Sequence, residues 1–490
     1  MPIPARFLTI PLLALALAAR ATAADAPAPY GPVPTQDQLH WQKMEQYALI
    51  CIGLNTFTGN EWGYGNEDPK IFNPAKFDAE KIAETFQKSG LKAIILVAKH
   101  HDGFCLWPSK YTERSVKNSP YKNGKGDIVR EFADACKHHG LKFGIYLSPW
   151  DRNQPTYGKP EYITYFRNQL KELLTNYGPI FEIWFDGANG GDGFYGGAKE
   201  MRHIDRLTYY DWANTWKMAR ELQPNVIVWA PIDCTPTPPD VRWGGNENGI
   251  APETNESVVT ELAGGVKGAW WIPTESNVSI RFGWFYHADQ DLMVKTPAKL
   301  VQLYFYSVGR NSTFLLNVPP RPDGLIDPHD VDSLLGWKVL LDRIFAKDVA
   351  QGATATASNT RGDDARFAPG NVLRGADDAY WATDDAVTTP DLTLRFAQPT
   401  TFNVVDLGEY IALGQRVQGF TVEAFVKGAW KEIAKATTIG HRRLLAIPRD
   451  VTTDQVRLHI TQSDAAPVLS HFRLYEAPLP ILEEAGLRAR

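Results

Sequence analysis

The chain has 490 residues, 44% hydrophobic and 22% charged, the balance of an ordinary globular protein long enough for two or three domains. Its formal net charge of -5 speaks against a nucleic-acid or polyanion partner. Fifteen tryptophans and 12% aromatics suit either a tryptophan-rich core or a surface on which the apolar face of a sugar ring can stack.

The opening "MPIPARFLTIPLLALALAARATAADA" places Arg6 before an apolar run from Phe7 to about Ala19, followed by small residues. That is the layout of a signal peptide over 1–23, with Ala23 or Ala26 as cleavage points and a run too short to span a membrane. The mature chain is therefore expected to be secreted or periplasmic, with no membrane partner after cleavage. The cysteines Cys51, Cys105, Cys136 and Cys234 match neither a disulfide scaffold nor a metal spacing. Free, partly buried thiols are expected, with one disulfide left open in an oxidising compartment.

From about 45 to 350 the chain alternates apolar runs with helical patterns. "ALICIGLNTF" (48–57) reads as a strand and "PAKFDAEKIAETFQKSG" as a helix closed by Gly90. The strand "LKAIILVAKHH" and a helix from Asp127 to Gly140 follow, then the strand 141–150 and a helix over 160–177. Next come the strand 180–187, a helix over 204–222 and the strand 226–231. "GAWWIPTE", "FGWFYH" and "STFLLNVPP" supply three further strands, with "PAKLVQLYFYSVG" as a helix before the last and another over 327–346. Repeated strand and helix over about 300 residues gives an α/β fold, a (β/α)8-type barrel over 24–349. An open doubly wound sheet is the alternative, weakened because no G-x-G-x-x-G follows the first strand. Beyond 350, short alternating strands joined by turn residues read as an antiparallel β-sandwich over 350–480, with a tail over 481–490.

Chemistry concentrates where strands end. In "ILVAKHHDGF" (94–103) an apolar run stops at His100, His101 and Asp102. Adjacent side chains on a strand face opposite ways, so the two histidines share a target only if the strand has ended and the backbone turns. A metal pair is the competing reading, disfavoured because no third ligand motif lies near. In "FEIWFDGANG" alternation sets Phe181, Ile183 and Phe185 against Glu182, Trp184 and Asp186, and the Asp-Gly break ends the strand at Asp186. That carboxylate belongs in a barrel mouth unless it only forms an Asx turn. The loop "VRWGGNENGIAPETNE" carries Glu247, Glu253 and Glu256, and spacing alone does not choose among them.

Seven motifs occur in order: "GLNTFTGNEWGYG", "KHHDGFCLWPSKYT", "GIYLSPWDRN", "IWFDGANG", "VRWGGNENG", "SIRFGWFYH" and "SVGRNSTFLLNVPP". Over about 40–345 they closely resemble the α-L-fucosidases of glycoside hydrolase family 29, in the branch selective for α-1,3/1,4-linked fucose. The C-terminal pattern resembles discoidin-like carbohydrate-binding modules. The resemblance implies a retaining exo-glycosidase acting on fucosylated oligosaccharides or glycoconjugates, with no metal and no organic cofactor. It makes Asp186 the nucleophile and Glu247 the general acid/base. It assigns His100, His101, Glu61 and Trp62 to sugar contact, and puts Asn55, Trp150, Trp184, Arg281, Trp284 and His287 in matched motifs as further substrate-binding candidates. Two departures stand out. Cys51 occupies the place of a family histidine that contacts the sugar, and Phe282 stands where proline is common. A fucose-like substrate such as L-galactose, or a sugar-binding protein without turnover, are the rival readings.

Overall fold

The computed structural model describes residues 24–489 apart from 188, 376 and 377, so the leader expected over 1–23 lies outside the described residues. Eight strands run parallel: β1 Gln46–Ile50, β2 Ala93–Lys99, β3 Lys142–Leu147, β4 Glu182–Trp184, β5 Ile227–Trp229, β6 Arg242–Trp243, β7 Thr274–Ser279 and β8 Ser312–Asn317. They pair in the order β5-β4-β3-β2-β1-β8-β7-β6, and a parallel bridge from Trp229 to Val241 draws the two ends together into a nearly closed barrel.

Alternation sorts the apolar side chains into two layers. Leu49, Ile95, Val97, Tyr146, Trp184, Trp229 and Leu315 fill the barrel, while Ala48, Ile50, Ile94, Leu96, Ile145, Ile183 and Val228 pack outward beneath the helices. Both faces of each strand are thus buried, which is why the sequence shows near-continuous apolar runs. Phe181 departs from its expected face: it precedes β4 and packs edge-on against Tyr47 in the interior layer. The helix Gln36–Met44 closes the N-terminal end of the barrel. Its Trp41 and Met44 join the interior layer, and Gln38 Nε2 donates to the carbonyls of Asp240 and Trp271.

The outer helices are bounded as their caps dictate. Ala79–Lys88 starts only at the Asp78 cap, and Ile128–His139 runs from the Asp127 cap to Gly140 in the left-handed region. Glu161–Asn176, Trp212–Leu222, Pro297–Tyr306 and Pro328–Ile344 follow. Other expectations need correction. The first strand ends at Ile50, and Leu54–Thr58 is a helical turn. The aromatic run before Pro273 belongs to an antiparallel hairpin, Val258–Leu262 with Val266–Trp271, outside the barrel. The barrel strand is the polar "TESNVS", and 282–287 is not a strand. The interior face of β7 carries Glu275 and Asn277, so no apolar alternation announced it.

The C-terminal part is an antiparallel sandwich with its own core, built on two long bent strands, Asp391–Glu409 and Arg443–Ser463. Bulges between Arg395 and Thr400 and between Phe402 and Val404 let these strands turn from one layer to the other. The last residues are more than a tail: Leu479–Glu484 is a short helix whose Ile481 and Leu482 are buried with the outer layer of the barrel. Arg442 ties the two parts together, reaching Glu45 at 2.9 Å and Asp406 at 2.9 Å.

Three Asn-x-Ser/Thr positions, Asn255, Asn277 and Asn311, are 2%, 4% and 2% exposed and accept no glycan in the folded state. Asn255 and Asn311 instead cross-bond to each other and to Gln415 of the sandwich. All four cysteines are free thiols. No helix among the described residues is long and apolar enough to cross a membrane.

Candidate active site

A cavity of about 510 Å³ opens at the carboxyl ends of the strands, lined among others by Cys51, Glu61, Trp62, His100, His101, Trp150, Trp184, Asp186, Glu247 and Trp284. Asp186 follows β4 directly. Its Oδ1 accepts the Gly187 N–H at 2.7 Å and its Oδ2 accepts the Tyr146 hydroxyl at 3.0 Å. Burial raises its pKa, the two donors oppose that rise, and the Glu247 charge adds to it. Gly187 has φ +78°, and a Cβ there would collide with the His101 imidazole, so only glycine lets the nucleophile candidate and the histidine meet.

Glu247 stands on the loop after β6, exposed, with Oε2 accepting the Trp284 indole N–H at 3.1 Å. The chain thus brings two carboxylates to one cavity, one fixed at a strand end and the other carried on a loop. Cys51 lines the same cavity. Burial and the charges of Glu61, Asp186 and Glu247 push its thiol pKa far up, so it faces the cavity as a neutral group.

The hydrogen bonds fix the tautomers of the histidine pair. Asn55 Nδ2 donates to the carbonyl of Glu61 at 3.1 Å, which sets the amide orientation, and its other hydrogen points at His100 Nδ1, 3.3 Å away. His100 Nδ1 is therefore an acceptor and its Nε2 a donor. Ser148 spends its one hydroxyl hydrogen on the Trp150 carbonyl at 2.7 Å, so its oxygen accepts from His101 Nδ1, also at 2.7 Å. That leaves His101 Nε2 as an acceptor. Burial keeps both rings neutral, lowering the His100 pKa to about 3 and that of His101 far below its ordinary value. Side by side, the cavity gains one donor and one acceptor, the set that reads a pair of hydroxyls.

Glu61 is held on both oxygens, by His287 Nε2 at 2.8 Å and by the Trp284 backbone N–H at 2.8 Å. Trp62 is 58% exposed and stands edge-on to His101 and Trp150 at the mouth. Trp150 donates to Tyr195 Oη at 3.0 Å. Trp184 forms the floor, stacked on Trp229 with ring centroids 3.7 Å apart, its N–H on Glu182 Oε1 at 2.7 Å. His287 and Asn55 do not line the cavity; they brace Glu61 and His100 from behind. Arg281 does not line this cavity. Its buried guanidinium meets Asp330 at 2.9 Å and Asp291 at 2.7 Å, beneath the Tyr286 ring. The Arg281 guanidinium, expected at the substrate, is thus held in an ion-pair cluster that anchors the loop after β7.

Sequence reading missed several groups. Tyr146, on the inward face of β3, is the most consequential; its place two residues before Ser148 in "GIYLSPW" was the available signal. Trp229, Trp243, Asn277, Arg206 and Asp233 also line the cavity. Beneath the floor lies a second carboxyl pair. Glu182 accepts the indole N–H of Trp41 at 2.8 Å as well as that of Trp184, and the Tyr47 hydroxyl donates to Glu275. Burial raises the Glu182 pKa to about 7, and burial together with the Glu182 charge raises that of Glu275 further.

Known proteins resemble this chain over both the barrel and the sandwich. The Alpha-L-fucosidase family profile matches residues 32–338 and the F5/8 type C domain profile matches 354–472. Alpha-L-fucosidase 1 of Arabidopsis thaliana is 38% identical over 465 residues, covering 91% of this chain and 88% of its own. A glycoside hydrolase 29 member from an unknown rumen bacterium is 46% identical, with TM-score 0.82 over 92% of this chain and 78% of its own. A Ruminococcus gnavus GH29 fucosidase in complex with fucose is 32% identical, with TM-score 0.82 over 94% of this chain and 99% of its own. Barrel, C-terminal sandwich and the two profiles thus converge: the chain belongs to the glycoside hydrolase 29 α-L-fucosidase family, with an F5/8 type C domain following its barrel.

Proposed function

We propose that this α-L-fucosidase releases terminal α-L-fucose with retention of configuration, by double displacement, from α-1,3/1,4 linkages of branched oligosaccharides or glycoconjugates. Asp186 attacks the anomeric carbon while Glu247 gives its proton to the glycosidic oxygen, so that the C–O bond to the leaving sugar breaks as the glycosyl ester forms. Glu247, now a carboxylate, takes a proton from water. The water oxygen bonds to the anomeric carbon and Asp186 leaves as carboxylate. Tyr146 and the Gly187 N–H stabilise the charge that Asp186 carries before and after the ester. His100 and His101 offer a donor and an acceptor to sugar hydroxyls, and the fucose held by the Ruminococcus gnavus relative supports that sugar here. The leader motif supports action outside the cytoplasm, as a secreted or periplasmic enzyme.

The observation that carries the reading is the Asp186 carboxylate, set at a strand end by two donors in the same cavity as Glu247. The test pairs an aryl α-L-fucoside with a trisaccharide bearing α-1,3- or α-1,4-fucose, following the anomer first released by NMR. Release of the α-anomer from both, abolished in Asp186→Asn, is expected. Initial release of the β-anomer would overturn retention, and cleavage of the aryl substrate alone would overturn the linkage.

Cys51 favours a second reading, a fucose-like sugar such as L-galactose, because a thiol is a small and weak hydrogen-bond partner on the cavity wall. Cys51→His separates the two: a shift of preference toward fucose, read as the ratio of kcat/KM values, supports the second reading.

A further inference from the structure

The catalytic cavity has a side arm. Glu247, Phe282 and Trp284 line the cavity and also wall a groove of about 290 Å³ that continues past Asn248 to Lys295 and Lys299. Asp186 is not among the groove's lining residues. A general acid stands between the sugar being cleaved and the group that departs. A channel that shares the acid but not the nucleophile therefore runs toward the leaving group.

Apart from Glu247, which it shares with the cavity, the charged residues lining this arm are basic: Arg281, Lys295 and Lys299. Lys295 Nζ donates to the Arg281 carbonyl at 3.1 Å and lies 6.0 Å from the centre of the Phe282 ring. The exposed Lys299 donates to the amide oxygen of Gln302, at 2.5 Å. Neither lysine forms an ion pair among the described residues. Asp291, an acid of the same loop, is engaged by Arg281 and by the Tyr286 hydroxyl at 3.1 Å. Burial first, and the neighbouring Lys299 charge second, lower the Lys295 pKa. Phe282 is 75% exposed beside them and offers an apolar face on which a sugar ring can rest.

We propose that this arm is a leaving-group subsite for a sugar bearing an anionic substituent, a carboxylate or a sulfate ester, held by Lys295 and Lys299 while a ring of the same leaving group packs on Phe282. The proposal rests on Glu247 acting as the acid, as argued above. It specifies what the branched leaving group carries. The overall charge of -5 does not oppose it, because a charge within the arm is governed by its immediate neighbours inside a Debye length.

The test compares kcat/KM on a neutral α-1,3/1,4-fucosylated oligosaccharide with that on its sialylated and its sulfated counterparts, at low and high sodium chloride. An advantage of roughly fivefold for at least one anionic substrate, shrinking with salt, is expected from partly exposed ion pairs. The sialylated and sulfated arms tell carboxylate from sulfate. Lys299→Gln and Lys295→Gln should each lower the anionic-to-neutral ratio about threefold. A fold defect in either variant would lower both rates together and leave the ratio in place. Equal rates on all three substrates, or a ratio untouched in both variants, would overturn the subsite. An aryl α-L-fucoside serves as control. If the wild-type enzyme leaves that intact, the catalytic reading fails first, and the subsite is then judged by calorimetry of sulfated against neutral N-acetyllactosamine. Equal or absent binding there sinks it.

Discussion

Strand β4 and the turn after it carry two carboxylates with opposite fates. Glu182 and Asp186 are four residues apart and both face the barrel interior. Glu182 is sealed: it is 0% exposed, and its two oxygens each take an indole N–H, from Trp41 and Trp184. Asp186 is half-buried at the cavity wall, with a phenol and a backbone N–H as donors and Glu247 in the same cavity. Burial raises both pKa values, so a raised pKa does not by itself distinguish a reacting group from a structural one. Access does. The lower carboxylate can only hold tryptophans, while the upper one can meet a sugar.

Removing the carboxylate at each level in turn separates the two roles most strongly. Asp186→Asn should reduce kcat by about a thousandfold or more while leaving the melting temperature within a few degrees, because the amide keeps the shape but cannot form the ester. If activity survived, the upper site would be as structural as the lower. Glu182→Leu should do the reverse. It strands two buried indole N–H groups, at about 1–3 kcal/mol each, and lowers thermal stability accordingly. Trp184 then loses its tether at the cavity floor, so KM should rise more than kcat falls. A chemical denaturation series on the two variants reads the contrast directly.

Tyr146→Phe removes one of the two donors at the upper level. Deleting a hydrogen bond to an ionised group costs about 1.5–3 kcal/mol, so kcat/KM should fall roughly tenfold to a hundredfold. The lost donor had favoured the ionised form of Asp186 and had lowered its pKa. Without it that pKa rises further, and the acid limb of the kcat/KM profile must move to higher pH. A profile with an unmoved acid limb would detach Tyr146 from the nucleophile.

How much of this was legible beforehand follows the same division. The apolar strands β1 to β5 were readable because both layers of the barrel need large aliphatic residues there, and Asp186 because an Asp-Gly break ends a strand visibly. β6 has two residues and β7 is polar, so neither rises above the local pattern, and the aromatic hairpin before β7 drew attention instead. Glu247 needed resemblance, since its loop holds other glutamates of equal standing; Glu253, for one, is engaged by Arg310 and Arg443 at the sandwich. The direction of the Arg281 side chain was out of reach, because a charged residue in a matched motif says nothing about where it points. Its partner Asp330 is 49 residues away and its geometry is a tertiary fact. The tautomers of His100 and His101 were also out of reach, because they are set by Asn55 and Ser148 from other segments.

The lower pair, where Glu275 stands against Glu182, responds more weakly. Tyr47 donates to Glu275, and the burial that raises Glu182 from 4.5 to about 7 acts on Glu275 as well. Two carboxyl groups in one dry site share a proton rather than ionise together. A group whose folded pKa is raised keeps its proton in the native state while the unfolded chain has lost it. Stability is therefore greatest below the unfolded value and falls as pH rises, for Glu182 across the window from about 4.5 to about 7. Glu275→Gln replaces a group that is already neutral by a neutral amide of the same shape, so at pH 5 it should change stability by less than about 1 kcal/mol. Between pH 5 and pH 7 the variant should lose less stability than the wild type, because it has one fewer proton to give up. Measured as the difference between the two melting curves, this isolates the pair from the other buried acids, Asp102 and Asp330 among them, which titrate in both proteins. A wild-type and variant difference that is flat across that range would mean that both lower carboxylates are ionised, and that the indole and phenol donors alone compensate two buried charges.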